Sequence, residues 1–186
     1  LITVLTMKMK WHFFHQLQVE VFRRNFLIRV QLEDFDPGIE IDNLSADNYH
    51  IGGISSFVGL VRDMYNDHKL ISMTLEHYPK MTEKMLEEIQ SEAFKRWSLE
   101  GCLIIHRYGQ LNPGEKIVMV ATASLHRQDS LESCAFLIDW LKTKAPFWKL
   151  EHSTECDNGK WVEAKEDDNI ATRKWDKIIP NKARDI

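Results

Sequence analysis

The sequence has 186 residues, the length of one ordinary domain with or without a tail. A hydrophobic fraction of 44% and a charged fraction of 28% are typical of a globular protein with a packed core. The formal net charge of -4 argues against a general binder of nucleic acid or of anionic membranes, since both need a broad basic surface. A small, local basic pocket is compatible with this charge.

The cysteines and the apolar runs narrow the class of protein further. The three cysteines are odd in number, widely spaced and without a C-x-x-C pair, so neither a disulfide framework nor a metal site is predicted. Cys102 and Cys134 lie in apolar runs and are predicted to be core residues. No apolar run approaches the ~18 residues of a membrane helix. The lysines Lys8 and Lys10 follow the apolar start, which is the wrong order for a secretory signal. We therefore expect a cytoplasmic protein without a membrane segment.

Three regions are distinguished along the chain. Residues 1–25 begin with leucine and lack a clear period, so we expect an extension that is disordered or non-native. Residues 26–176 alternate between strand and helix patterns and form the predicted domain. Residues 177–186 are predicted to be a C-terminal tail.

The first half of the domain is predicted to contain three strands and two helices. Strands are expected at Phe26–Leu32, Ile51–Val61 and Leu70–Tyr78, the second being glycine-rich and therefore closely approached by another element. Asp36–Gly38 is a predicted turn, with a short helix between residues 37 and 48. Thr82 is predicted to cap the second helix. The buried stripe of this helix is predicted to be Met81, Met85, Ile89, Ala93 and Trp97.

The second half adds four strands and one helix. The strands are predicted at Cys102–His106, Lys116–Leu125, Phe147–Glu151 and Lys160–Lys165, with a turn at Asn112–Gly114 and a hairpin turn at Asp157–Gly159. Asp129 and Glu132 have capping-box spacing for a helix that must end before Pro146. Its buried stripe is predicted to be Leu131, Cys134, Ala135, Ile138 and Leu141. Because strands outnumber helices and several turns are too short for parallel crossovers, the predicted fold class is α+β with a mainly antiparallel sheet.

The segment LKTKAPFWK, residues 141–149, is the most informative for chemistry. Lys142 and Lys149 bracket a rigid corner made by Pro146 and two aromatic residues, and such a corner can hold two amines close together. Partial burial and a second cation both lower the pKa of a lysine, which would give an acid, base or nucleophile near neutral pH. Lys144 is interpreted as a cation that only complements the helix C-terminus. Spacing alone leaves the same interpretation open for the other two lysines.

Further basic residues follow predicted strands. Arg62 follows the glycine-rich strand, and His126 and Arg127 follow the long strand. Arginine binds phosphate and carboxylate bidentately, so convergence of Arg62, Arg127, Lys142 and Lys149 would make an anion pocket. Taken alone, a basic residue after a strand is more often a surface charge than a site residue. The His106-Arg107 pair after a buried strand is interpreted as structural. No G-x-G-x-x-G, Walker or G-x-S-x-G motif supports nucleotide binding or serine hydrolysis.

Six blocks of sequence carry a resemblance to a known family. In chain order they are SFVGLVRD (56–63), LEHYPKMTEKML (75–86), IHRYGQLNPGE (105–115), ASLHR (123–127), LKTKAPFWK (141–149) and KWVEAKE (160–166). Over residues 26–176 the chain resembles the large, catalytic subunit of molybdopterin synthase, the MoaE family. The resemblance implies an α/β hammerhead-type fold and a homodimer of large subunits.

The resemblance also implies a reaction and a partner. A small ubiquitin-like sulfur-carrier subunit inserts its C-terminal Gly-Gly tail, activated as a thiocarboxylate, into the large subunit. Two sulfur transfers to cyclic pyranopterin monophosphate (precursor Z) then give the dithiolene of molybdopterin. The sulfur comes from the partner, so no cofactor and no cysteine nucleophile are expected in this chain.

Site residues are implied by position. Lys142 and Lys149 match the family's catalytic lysines, which also bind substrate, and Arg62, His126 and Arg127 match residues around the pterin and its phosphate. The segments that match substrate contacts add Leu60 and Val61 before Arg62, and Leu150 and Glu151 after Lys149. Lys165 aligns with a basic residue directed at the neighbouring subunit's pocket. Leu60 and Leu150 stand where some members have lysine or arginine, so contacts there are expected from the backbone.

Three other functions fit the sequence less well. A docking module that binds the ubiquitin-like partner without catalysis would have lost the lysines, which this sequence retains. An acyl- or phosphate-handling enzyme would need a nucleophile or a nucleotide loop, and neither is apparent. An RNA-binding module is disfavoured by the net charge and by the lack of interleaved basic and aromatic residues on a strand.

Overall fold

The computed structural model describes residues 26–65, 68–153, 156–162 and 172–177. Within these ranges the strands are β1 Phe26–Gln31, β2 Gly53–Leu60, β3 Met64–Tyr65, β4 His68–His77, β5 Leu99–Arg107, β6 Gly109–Leu111, β7 Lys116–Ser124, β8 Phe147–Ser153 and β9 Cys156–Val162. The helices are α1 Pro37–Ser45, α2 Pro79–Arg96 and α3 Arg127–Lys144, followed by a 3₁₀ turn at Lys174–Lys177. The predicted extension 1–25 and the tail from residue 178 lie outside the described residues. No helix in the described ranges combines the length and apolarity needed to cross a membrane.

The first sheet forms the middle layer of the domain. Its strand order is β1-β5-β7-β2, with β1 parallel to β5 and the other pairs antiparallel. Because side chains alternate along a strand, both faces of β5 and β7 carry apolar residues. Ile104 and Val120 pack in one cluster with residues of α2 and α3, while Ile105 and Met119 pack with Leu44 of α1 on the opposite face. The two central strands are therefore covered on both sides.

The second sheet packs against one end of the first. Its order is β3-β4-β8-β9, with β6 also paired to β4, and all of its pairs are antiparallel. A buried cluster that includes Val61, Leu75 and Leu111 joins the two sheets, and the partly buried Phe147 of β8 and Ile117 of β7 pack against it. The predicted α+β class with mainly antiparallel pairing is confirmed, with the strands divided between two sheets.

The short helix predicted between residues 37 and 48 is confirmed as α1, but the residues that begin or cap the three helices differ from the sequence prediction. Asp36 is the N-cap of α1 and accepts hydrogen bonds from the backbone N–H groups of Gly38 and Ile39 at 2.8 and 3.2 Å, so the predicted turn is the first turn of a helix. Thr82 is not a cap, because α2 already begins at Pro79. The capping box at Asp129 is wrong as well, since α3 begins at Arg127 after His126.

The buried stripes of the long helices also differ. In α2 the buried face contains Thr82 and Leu86 in place of Met81, because a strict four-residue recurrence drifts around a helix of 3.6 residues per turn. In α3, Leu131 and Ala135 are exposed. Buried positions are Ser130, Ser133, Cys134, Phe136, Leu137 and Leu141. The serines tolerate burial because their hydroxyls donate to backbone carbonyls within the helix.

The predicted hairpin turn at Asp157–Gly159 is wrong. These residues belong to β9, and β8 and β9 already pair at Ser153 and Cys156. The chain therefore reverses earlier than the Asp-Asn-Gly signal indicated, and the pairing contains an irregularity between Glu151 and Ser153 that accommodates the shift. The part of the predicted last strand beyond Val162 lies outside the described residues.

The end of the domain is anchored by Trp175. Its ring packs edge-on against Trp97 and Phe136, and its Nε1–H donates to an oxygen of Asp139 at 2.8 Å. The carbonyl of Trp175 accepts from Arg96 at 2.6 Å. The chain thus returns from the second sheet to the groove between α2 and α3 and closes the core there.

Candidate functional site

Lys149 lies on the inner face of the second sheet. In β8 it pairs with Leu75 of β4 and Val162 of β9. Phe147, two residues earlier and therefore on the same face, stacks on the ring of His106 with centroids 3.7 Å apart and planes at 13°. The strand pairing thus directs the Lys149 side chain toward the end of the first sheet where β5 ends.

The ring beneath Lys149 is neutral. Burial is the main cause that lowers the pKa of His106 to about 4, and the nearby positive charge of Lys149 also lowers it. The hydrogen bond between Nδ1 and the Arg107 carbonyl acts in the opposite direction and raises the pKa. At neutral pH the wall formed by His106 and Phe147 is therefore uncharged. The cationic character of this region comes from the lysines and from Arg62.

Lys142 reaches the same end of the first sheet through α3. This helix packs on β2 and β7. The Ser130 carbonyl accepts from Thr122 at 2.6 Å, and the Cys134 thiol donates to the Val120 carbonyl at 3.9 Å. Four helical residues rise about as far as two strand residues. On that spacing Lys142 lies level with Lys116 at the start of β7, in the exposed last turn of the helix.

The helix ends where the sequence predicts, at the Pro146 corner. The last residue of α3 is Lys144, and Pro146 precedes β8 directly. The Thr82 hydroxyl of α2 donates to the Pro146 carbonyl at 3.4 Å, which ties the corner to the second helix. Lys144 takes no part in the corner, because its ammonium lies over the ring of Trp140, 3.5 Å from the centroid.

Arg62 emerges beside this corner from a tightly held strand end. It is exposed and follows Val61, which is only 3% exposed and packs in the cluster against which Phe147 packs. Leu60 is 55% exposed and pairs with Lys116. Arg62, Lys142 and Lys149 therefore all lie at the end of the first sheet where β2 ends and β7 begins. We call this the Arg62 end.

His126 and Arg127 lie at the opposite end of the first sheet, which we call the His126 end. β2 and β7 are antiparallel, with Gly53 opposite Ser124 and Leu60 opposite Lys116. The eight-residue separation of Ser124 and Lys116 along β7 corresponds to roughly 26 Å. Within one chain the five basic side chains therefore do not meet in one cavity, and His126 and Arg127 are remote from the other three.

The His126 end is built by close backbone approach. Gly52 donates to the Ser124 carbonyl at 3.0 Å, and a Cβ at Gly52 would lie 2.1 Å from the Leu125 carbonyl oxygen. The Ser124 hydroxyl donates to the His126 carbonyl at 2.5 Å. His126 and Arg127 are both exposed where β7 passes into α3. The predicted close approach to the glycine-rich segment is confirmed at Gly52, directly before β2, and the approaching backbone is that of Leu125, between β7 and α3.

The remaining predicted contacts separate by strand face. Glu151 lies two residues after Lys149 and shares its face. Leu150 pairs with Thr74 and Trp161 and lies on the other face, so only its backbone adjoins the Lys149 side. Lys165 lies outside the described residues.

Cysteine chemistry finds no support in the described thiols. Burial raises the pKa of Cys102 to about 12 and that of Cys134 to about 11, so both are protonated at neutral pH. In the described ranges no three His, Cys, Asp or Glu residues are grouped to hold a metal ion.

Fold and site together define a class of protein. It is an α+β domain whose second sheet presents a lysine above an uncharged aromatic wall, with a second lysine and an arginine at the same sheet end, as suits the binding of an anionic substrate. The chain belongs to the MoaE protein family, whose model matches residues 30–144.

Relatives and solved structures agree with this assignment. The chain is 47% identical over 148 residues to the molybdopterin synthase catalytic subunit of Mesorhizobium japonicum, covering 80% of this chain and 92% of the relative. Its identity to the subunit of the same name from Pseudomonas aeruginosa is 48% over 149 residues, covering 80% and 98%. The molybdopterin biosynthesis MoaE protein from Burkholderia ambifaria superposes with a TM-score of 0.69 at 46% identity, covering 80% of this chain and 97% of that one.

More distant structures share the fold. Molybdopterin synthase from Staphylococcus aureus matches with a TM-score of 0.66 at 27% identity, over 73% of this chain and 96% of that one. A chain of the complex of subunits 1 and 2 of molybdopterin-converting factor from Helicobacter pylori matches with a TM-score of 0.58 at 20% identity, over 76% and 90%, which shows the fold alone.

Proposed function

We propose that this chain is the catalytic subunit of a cytoplasmic molybdopterin synthase. In this proposal it transfers sulfur from the C-terminal thiocarboxylate of a small ubiquitin-like partner to cyclic pyranopterin monophosphate. The observation that carries the proposal is the Lys142–Pro146–Lys149 corner, found in a chain of the MoaE family, with both lysines at the Arg62 end. A phosphate and an incoming carboxyl tail both require concentrated positive charge, which the otherwise acidic chain provides there.

The residues take different roles in the transfer. Lys142, exposed on the last turn of α3, acts at the reacting centre and activates the pterin carbon or the thiocarboxylate carbonyl. Lys149, on the uncharged wall of Phe147 and His106, holds charge or moves protons. Arg62 anchors the anionic substrate. Each transfer forms a carbon–sulfur bond on the pterin in place of a carbon–oxygen bond. Water then hydrolyses the bond between the partner's acyl carbon and the sulfur, so the partner leaves with an ordinary carboxylate.

The separation of the two sheet ends supports a homodimeric site. His126 and Arg127 cannot reach the Arg62 end of their own chain, which lies roughly 26 Å away. In a two-fold dimer the same pair from the second copy can face it. We propose that His126 and Arg127 of one chain complete the substrate site of the other, where Lys165 also reaches. Leu60, Val61, Leu150 and Glu151 supply backbone and rim contacts.

A reconstituted assay tests the function. Purified chain is mixed with thiocarboxylated small subunit and cyclic pyranopterin monophosphate, and molybdopterin is measured. We expect product from the wild type, and strongly reduced product from Lys142→Ala and Lys149→Ala. The control is Lys144→Ala, since the Lys144 ammonium lies on Trp140 outside the corner. Full activity of Lys142→Ala would refute its role, and binding of the partner without any turnover by the wild type would favour a docking module.

A further inference from the structure

We propose that Arg107 and Glu115 are positioning residues that hold the backbone on which Arg62 is presented to the substrate. The inference rests on the proposed function in so far as Arg62 binds the pterin phosphate. Neither residue lies at the corner of the two lysines, and sequence alone indicated only a structural role for Arg107.

Arg107 contacts four groups, two backbone carbonyls and two carboxylates. Its residue is only 7% exposed at the end of β5. The guanidinium donates from Nε to the Leu32 carbonyl at 3.0 Å, and from Nη1 to the Lys116 carbonyl at 3.0 Å and to Glu115 Oε1 at 3.3 Å. Asp34 adds a second carboxylate at 3.7 Å. The charge of Arg107 is thus satisfied internally, so Arg107 serves to hold the structure and leaves substrate anions to Arg62.

Glu115 connects this guanidinium to a turn. Its Oε2 accepts from the backbone N–H of Asn112 at 2.7 Å, and its own N–H donates to the Asn112 carbonyl at 3.0 Å. Gly114 within this turn has φ of 88°, a conformation that favours glycine. The carboxylate therefore clamps both ends of the Asn112–Glu115 turn and fixes it to Arg107.

The turn in turn fixes Val61. The Val61 N–H donates to the Glu115 carbonyl at 2.9 Å, and the Gly114 N–H donates to the Val61 carbonyl at 2.7 Å. On the other side of Arg62, the Asp63 carbonyl accepts from the Leu70 N–H at 2.8 Å. Arg62 is consequently an exposed side chain between two held backbone positions, one of which is secured through Glu115 and Arg107.

Placement of an anion ligand matters more for binding than its mere presence. A displacement of the order of an ångström in a group that orients substrate can lower activity by up to roughly a hundredfold. A long arginine side chain reaches a fixed phosphate only if its backbone is fixed as well. Weakening the Arg107–Glu115 link should therefore raise the KM for the pterin substrate, while kcat, which depends on the lysines, changes less.

The test compares Arg107→Lys with a matched control, Arg96→Lys. Arg96 also donates to a backbone carbonyl, that of Trp175 at 2.6 Å, and to a carboxylate, that of Glu92 at 2.9 Å, but it lies on α2 and holds the C-terminal turn. Three quantities are measured: the thermal unfolding midpoint, KM and kcat for cyclic pyranopterin monophosphate, and hydrogen exchange of the Val61 amide. We expect both variants to unfold at lower temperature. Only Arg107→Lys should raise the KM, by about tenfold or more. Only this variant should also increase the rate of hydrogen exchange at the Val61 amide.

The outcomes separate this inference from the proposed function. If the wild type makes no molybdopterin, the proposed function fails. The rate of hydrogen exchange at the Val61 amide in Arg107→Lys still shows whether Arg107 and Glu115 hold the Val61 backbone, an arrangement that we call the clamp. If the wild type is active, an unchanged KM in Arg107→Lys or in Arg62→Ala overturns the inference. Glu115→Gln provides a second variant in case Arg107→Lys does not fold, because it keeps an acceptor for Asn112 and removes only the charge. Its expected effect is a smaller rise in KM, and an unchanged KM together with an unchanged Val61 exchange counts against the clamp.

Discussion

The two ends of the first sheet present basic side chains by different means. At the Arg62 end, a network of buried Arg107 and two carboxylates secures a turn, and the second sheet adds Lys149 above the His106 ring. At the His126 end, the backbone at Leu125, between β7 and α3, passes so close to Gly52 that a side chain there would collide with the Leu125 carbonyl. Charge and hydrogen bonds stabilise the Arg62 end. The His126 end depends instead on a glycine, whose lack of a side chain permits the close backbone contact. One antiparallel strand pair therefore carries two basic regions, and we expect them to respond differently to pH and to substitution.

The largest expected effect tests whether the two ends serve one site across a dimer. Arg62→Ala and Arg127→Ala should each lose most of the molybdopterin-forming activity. If the ends come from different copies, mixed dimers contain one site with both losses and one intact site. Random mixing of the two variants by co-refolding should then restore about a quarter of wild-type activity, since half of the dimers are mixed and half of their sites are intact.

The control for this mixing experiment uses two residues of the same end. Arg62→Ala mixed with Lys149→Ala should restore nothing, because every site then lacks one of the two residues. Recovery in the control, or its absence in the Arg62–Arg127 mixture, would contradict the assignment of the His126 end to the neighbouring copy.

Acid pH should weaken the Arg62 end first. The pKa of His106 is about 4 in the folded chain, whereas its ordinary value is 6.5. Between these pH values His106 is protonated in the unfolded chain and neutral in the folded chain. The free energy of unfolding should therefore fall as pH decreases from 6.5 to 4, by roughly 3 kcal/mol in total from this residue. Denaturant titrations across this range measure the slope.

His106→Asn is the matched variant for the pH experiment. Its side-chain amide can still donate to the Arg107 carbonyl, but it does not titrate in this range. The variant should be less stable than the wild type at pH 7 and should show a flatter decline with acid. An equal decline in both proteins would mean that His106 does not carry the pH dependence.

Substitution of Gly52 should affect the His126 end specifically. A Cβ at Gly52 would lie 2.1 Å from the Leu125 carbonyl oxygen, whereas a Cβ at the neighbouring Gly53 meets only ordinary contacts from 3.6 Å outward. Gly52→Ala should lower the free energy of unfolding by about 1–3 kcal/mol and displace His126, while Gly53→Ala should change stability far less. Chemical denaturation measures both variants, and equal losses would argue against the close approach.

The smallest effect concerns the lysine that lies beside the corner without belonging to it. Lys144→Met removes the cation over Trp140, and we expect a loss of about 0.5–1 kcal/mol in the free energy of unfolding. KM and kcat should stay at wild-type values, because the side chain packs on the helix. A fall in activity without a fall in stability would place Lys144 in the Arg62 end after all.

Sequence patterns predicted the local elements better than their arrangement. The Pro146 corner, the core cysteines and most strands follow from periodicity and from proline's effect on the preceding residue. The helix starts failed where a β-to-α junction has no side-chain cap, as at His126. The hairpin signal at Asp157–Gly159 failed because strand pairing with β8 took precedence over local turn preference.

The site was only partly predictable for a related reason. Periodicity shows which face a side chain occupies, but not which strand lies next to it or in which direction that strand runs. The separation of Arg62 from His126 follows from the antiparallel register of β2 and β7, which is a long-range property. The clamp on Val61 likewise depends on Arg107, which lies 46 positions later in the sequence and beside the strand end only in space.

The alternation of side chains along β8 places different constraints on its inward-facing and outward-facing positions during evolution. Phe147, Lys149 and Glu151 face inward, while Trp148 and Leu150 face the other side of the sheet. A substitution at an outward position, such as Leu150→Arg, should leave the Lys149 amine in place. A deletion or insertion of one residue after Pro146 would instead turn Lys149 to the outside. Spacing in this strand is therefore expected to be inherited more strictly than the identity of every second residue.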